Sequence, residues 1–222
     1  MITGKQKPLD EIVKMLEPYN RIVLAGCYGC VTVCQVGGAK EVQVLASTIR
    51  LAREAGGRPI EIREATLERQ CDPEYVQTMR PFVEDYQAVL SLGCGAGVQY
   101  VAEFFGKTPV MPALNTAFIG VALRNGEWSE RCQACGDCVL HMTGGICPVT
   151  RCSKSHFHGP CGGSTQGRCE INKDVPCGWQ LIIDRLTALD RMDLYGEIKP
   201  FKRWRSSRDG GPRRIIREDL RK

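Results

Sequence analysis

Thirteen cysteines occur in this 222-residue chain, and their spacing is that of metal–thiolate chemistry. Cys132-x2-Cys135-x2-Cys138 leads to Cys147-Pro148 and then to Cys152, Cys161, Cys169 and Cys177. A second group, Cys27-x2-Cys30-x3-Cys34, stands near the N-terminus, with Cys71 and Cys94 further along. Thiolates are soft anionic ligands that suit iron–sulfur clusters and zinc. The triplet is similar to the bacterial ferredoxin run, with a longer gap before the fourth cysteine. That pattern favours an iron–sulfur cluster; structural zinc held by paired CxxC knuckles is the alternative.

Cys132, Cys135, Cys138, Cys147, Cys152, Cys161, Cys169 and Cys177 supply eight thiols, enough for two [4Fe–4S] clusters or for one cluster and one zinc. Spacing does not say which thiols share a site. With that many thiols, His141, His156 and His158 are expected at the surface or in capping roles. In the N-terminal group, Cys27-Tyr28-Gly29-Cys30 also fits a thioredoxin-like dithiol. Five thiols following strand ends favour a further cluster with one spare, and Cys71 is the first candidate for the spare. Gly93-Cys94-Gly95-Ala96-Gly97 is not a dinucleotide fingerprint, because Val98 stands where a glycine is needed and no acidic residue follows at the right interval. No Ser–His–Asp or paired-carboxylate arrangement emerges, so no catalytic residue is expected in this chain.

Strands and helices must position these thiols. Arg21–Ala25, Pro59–Arg63, Gln87–Leu92 and Thr108–Met111 read as strands. Between them lie helical patterns: Val42, Leu45, Ala46, Ile49 and Ala52 share one face, Asp72-Pro73 gives an N-cap with Pro at N1, and Val98–Phe105 is a third segment. Strands alternating with helices of this length predict α/β architecture with a Rossmann-like parallel sheet over residues 1–125. Cys27, Cys71 and Cys94 each follow a strand, at the edge where such sheets build their sites. Residues 126–195 form a cysteine-rich cluster domain in which bound metal replaces periodic packing as the source of order, with one helix from Trp179 to Leu189. Residues 196–222 are a basic tail.

The net charge is +5, but from Lys199 to Lys222 ten Lys or Arg face three acids, leaving the rest of the chain at −2. A basic tail on an acidic body does not make a nucleic-acid binder. The residues MITGKQKPLDEIVKML lack the apolar stretch of a signal peptide, and no apolar run reaches membrane-span length. A reducing cytoplasm is therefore the expected compartment, and the odd cysteine count suits metal better than disulfides.

Three segments, GCYGCVTVCQVGG, LSLGCGAGVQ and GPCGGSTQGRCEINKDVPCGW, resemble the methylenetetrahydrofolate reductase C-terminal domain family, and the resemblance covers nearly the whole chain. It implies a small iron–sulfur subunit, non-catalytic itself, within an oxidoreductase complex of one-carbon metabolism in anaerobic acetogens. The partner it implies is a TIM-barrel subunit that holds FMN and reduces methylene- to methyltetrahydrofolate. This chain would pass electrons through two or three [4Fe–4S] clusters to that flavin, with zinc in one site left open and further electron-donor subunits implied. Carried over residue by residue, the resemblance marks Cys27, Cys30, Cys34 and Cys94, and the eight cysteines from Cys132 to Cys177. Two readings of other classes compete with it: a zinc-based interaction module, and a stand-alone thiol oxidoreductase using Cys27 and Cys30.

Overall fold

The computed structural model describes residues 1–198, 200–202, 204 and 212–220. The chain divides into two compact units, Met1–Ser129 and Glu130–Lys222. The first contains β1 (Ile2–Gln6), α1 (Leu9–Met15), β2 (Arg21–Cys27), α2 (Cys30–Val33), α3 (Ala39–Ala55), β3 (Glu61–Leu67), α4 (Pro73–Val76), α5 (Arg80–Val83), β4 (Ala88–Ser91), α6 (Gly95–Phe105), β5 (Val110–Pro112) and β6 (Leu114–Arg124). It also contains the start of β7 (Glu127–Cys132).

Four of these strands form a parallel sheet in the order β3-β2-β4-β5, the expected α/β architecture. The apolar run of β2 explains its central place. Ile22 and Leu24 pack with Ile12 and Leu16 of α1 and Leu45 and Ile49 of α3. Val23 and Ala25 pack with Val76, Met79, Val83 and Val101 in a separate core. A strand with helices over both faces needs apolar residues at every position, which is why it reads as a continuous run. Asp72 caps α4, accepting from the Glu74 N–H at 3.2 Å, and Pro73 takes the first turn.

The structure departs from the sequence reading at three places. A second, antiparallel sheet, β1-β6-β7, stands beside the expected one. Its strands lack apolar alternation: β6 buries Leu114 and Gly120 and leaves most of its other side chains exposed. The helix expected from Val98 begins at Gly95, so two glycines of the supposed turn are helical. On α3, Ala52 is half-buried and Arg53 is buried instead. Arg53 donates to the carbonyls of Leu16, Tyr19 and Arg58, a set that satisfies the guanidinium away from water.

The second unit is largely irregular. It holds the end of β7, a 3₁₀ turn at Leu140–Met142, α7 (Pro148–Arg151), α8 (Gly178–Ala188), α9 (Asp193–Gly196) and a 3₁₀ turn at Glu218–Leu220. The core under α8 is small: Cys177, Trp179, Ile182 and Leu186, with Ile146, Cys152 and Leu194 packed against it. Trp179 anchors it, donating from Nε1 to the His156 carbonyl at 2.8 Å. Gly159 lies under the indole so closely that a Cβ there would overlap the ring. Much of the basic tail lies outside the described residues. Within them Lys202 is buried, while Ile198, Phe201 and Ile215 are almost fully exposed. Among the described residues no helix is long and apolar enough to cross a membrane.

Candidate metal centres

In the second unit, one loop brings four of the expected thiols together. Cys132, Cys135, Cys138 and Cys147 line a single small cavity of about 110 Å³, with Val139, Leu140 and Val149 in its wall. Cys132 ends β7, and Cys147 is the N-cap residue of α7. Between them Ala134 and Gly136 adopt left-handed conformations, φ 52° and 85°. The Ala134 N–H points at Cys132 Sγ at 3.2 Å. Cations from the tail meet the outside of this loop: Lys202 Nζ donates to the Asp137 carbonyl at 2.6 Å, and Arg213 donates to the Ala134 carbonyl at 2.5 Å.

The other four thiols lie in the segment that leads to the start of α8. Cys177 is its N-cap residue, and Cys152 packs on the core that Cys177 shares with Trp179. Cys169 is tied into a tight ribbon, its N–H donating to the Val175 carbonyl, while the Cys177 N–H donates to the Gly167 carbonyl. Its Sγ lies 3.3 Å from Ser153 Oγ. The Ser153 hydroxyl, followed by the backbone N–H groups of Ile171 and Asn172, holds the Cys169 thiol below its ordinary range. Cys161 Sγ lies 3.9 Å from the Glu170 carboxylate, which also pairs with Lys154. His141 and His158 are exposed and His156 is half-buried, its carbonyl engaged by Trp179.

In the first unit, Cys27 closes β2, Cys30 opens α2 and Cys94 is the N-cap residue of α6. Cys71 follows β3 and is exposed. Burial, then the neighbouring thiols of Cys94 and Cys27, push the Cys71 thiol up. Cys34 faces elsewhere. It is buried, its thiol donates to the Ile2 carbonyl of β1 at 3.4 Å, and it lines a cavity of about 570 Å³ with Thr3, Val36 and Trp128.

Does this donor set fit metal clusters? Among the described residues, no three His, Cys, Asp or Glu side chains converge closely enough to share one metal ion. Four thiols around one apolar cavity, with a backbone N–H aimed at sulfur, suit a cubane, which spreads its thiolates over separate corners and gains N–H···S hydrogen bonds. A single zinc draws its four ligands onto one point. Cys132, Cys135, Cys138 and Cys147 therefore fit a cluster. Spacing marked the thiols, but it missed Ser153, Lys202 and Arg213, which make contacts between segments distant in sequence.

A family model described as methylene-tetrahydrofolate reductase C terminal matches residues 111–205. The match takes in all eight cysteines from Cys132 to Cys177 and leaves the N-terminal group outside it. No curated protein matches the chain.

Proposed function

We propose, from the match over residues 111–205, that this chain is an iron–sulfur electron-transfer subunit associated with a methylenetetrahydrofolate reductase. It would deliver electrons to the FMN of a catalytic partner that reduces methylene- to methyltetrahydrofolate. The observation that carries the reading is the cavity walled by Cys132, Cys135, Cys138 and Cys147, inside the matched segment. Cys152, Cys161, Cys169 and Cys177 form the second set. Zinc is the alternative occupant of that set.

Bound clusters would supply one-electron storage at potentials that the protein sets. The chain's own residues would do the rest. The Ala134 N–H lends a dipole to Cys132 sulfur, and Ser153 with the Ile171 and Asn172 amides stabilises the Cys169 thiolate. Val139, Leu140 and Val149 keep water from the first site, which favours a less charged centre. Lys202 and Arg213 place positive charge beside it.

Iron, acid-labile sulfide and zinc per chain, measured on protein purified anaerobically with its partner, test the proposal. Roughly eight irons or more with matching sulfide, oxidised by the partner's flavin, are expected. Zinc without iron would make the cysteines structural and overturn the electron-transfer role.

A further inference from the structure

Gln70 is a buried polar residue, 1 % exposed, whose side chain serves none of the sites described above. Its amide Nε2 donates to the carbonyls of Ala25 and Gly26, both at 2.9 Å, at the end of β2. Its Oε1 accepts from the Ser91 hydroxyl at 2.5 Å, and Ser91 Oγ in turn accepts from the Gly93 N–H at 3.0 Å. One amide thus bolts the segment after β3 to the ends of both β2 and β4. The fit is close: a Cβ on Gly93 would strike the Gln70 amide, and one on Gly97 would strike its Cβ. This explains two glycines that fit no nucleotide fingerprint. Buried amides satisfied at every group fix a backbone firmly, because each lost partner leaves a buried group unpaired.

Each strand that Gln70 ties carries a cysteine just beyond its bolt. Cys27 follows Gly26, Cys94 follows Gly93, and Cys71 is the next residue after Gln70 itself. Cys27 Sγ faces the loop that leads to Cys71, 3.9 Å from the Glu68 carbonyl. The Gln70 hydrogen bonds therefore bring the backbone at Cys27, Cys71 and Cys94 to one end of the sheet. Cys30, three residues beyond Cys27 in the chelating interval, opens α2 half-buried. Cys34 is satisfied by β1 and lines a different cavity.

We infer that Cys27, Cys30, Cys71 and Cys94 form a further four-thiolate iron–sulfur site at the carboxyl edge of the parallel sheet, with Gln70 as its positioning residue and Cys34 outside it. The inference rests on the electron-transfer reading and adds to it a cluster in the unit that the family match does not reach. It reverses the expectation from spacing, in which Cys71 was the spare.

Full-length Cys71→Ser and Cys34→Ser chains, purified anaerobically with the partner, test it by iron and sulfide content. Cys71→Ser should lose about four irons per chain, one cubane, while Cys34→Ser keeps them all. Loss in Cys34→Ser with retention in Cys71→Ser overturns the ligand set, and one zinc in place of the four irons overturns the cluster. Because Cys71 is exposed, labelling the unmutated chain with iodoacetamide at alkaline pH gives a second reading. Cys71 should resist the reagent while iron is bound and react once iron is stripped. Gln70→Leu should restore labelling of Cys71 in the iron-loaded chain. Labelling of Cys71 in the loaded, unmutated chain while Cys132, Cys135 and Cys138 stay protected rejects this site alone. Labelling of all four rejects the electron-transfer reading with it.

Discussion

Ser153 shows how far single residues can tune a thiolate centre. Its hydroxyl is the largest of the influences that hold the Cys169 thiol down. A thiol with a depressed pKa competes less well for protons, so it holds a metal further down the pH scale. Ser153→Ala removes the hydroxyl, so iron should leave this site at a higher pH than in the unmodified chain. Iron retained across an acid titration reads this directly, and superimposable curves for the two proteins would reject the role given to Ser153. At this scale the sequence marked the candidate thiols but not the groups that contact them. Cysteine at intervals of two and three residues is a local signal. Ser153 lies sixteen residues from Cys169, and Gln70 acts on Ala25, Gly26 and Ser91, so both become visible only when the chain is folded.

Among the elements, the tail has changed most from its reading as a basic end. Lys202 is buried against the loop that carries Cys135 and Cys138, donating to the Asp137 carbonyl with the Asp137 carboxylate 3.6 Å away. A hydrogen bond from a charged group contributes about 1.5–3 kcal/mol. Lys202→Ala should loosen the tail by that order, seen as faster chymotryptic cleavage after Trp204, with iron content unchanged. Deleting residues 200–222 should also weaken co-purification with the flavoprotein, since Phe201 and Ile215 present apolar side chains to solvent. A truncated chain that co-purifies fully would remove the docking role. The helices and strands of the parallel sheet were legible because burial on one or both faces imprints a period. β1, β6 and β7 bear no such imprint; β1 pairs with β6 across more than a hundred residues, and most of β6 lies in water. Arg53 on α3 broke the pattern for another reason, since its guanidinium is matched by three carbonyls rather than by water.

For the whole molecule, the two units draw their order from different sources. The first has apolar cores on both faces of its sheet, whereas the core of the second has four buried residues, Cys177, Trp179, Ile182 and Leu186. On the proposed function, ligation free energy supplies folding free energy where apolar packing is sparse. Stripping iron with a chelator should therefore open residues 130–178 to protease and spare a fragment close to residues 1–129. Equal sensitivity of both halves would refute this division. The loss of hydrophobic periodicity after β6 made this contrast readable in the sequence, although the fold of the irregular segment was not.

The strand order described above also governs how the protein fails. It leaves β3 and β5 at the edges, where a sheet can recruit another chain. β3 carries Glu61, Arg63 and Glu64, with Glu61 paired to Arg21 and Glu64 to Arg50, and β5 is three residues long and ends in Pro112. Neither is a flat apolar template for fibril growth. Exposed Cys71, Cys132, Cys138 and Cys161 are the open route instead. Air that destroys the clusters should thus yield disulfide-linked oligomers that a reductant disperses, rather than amyloid.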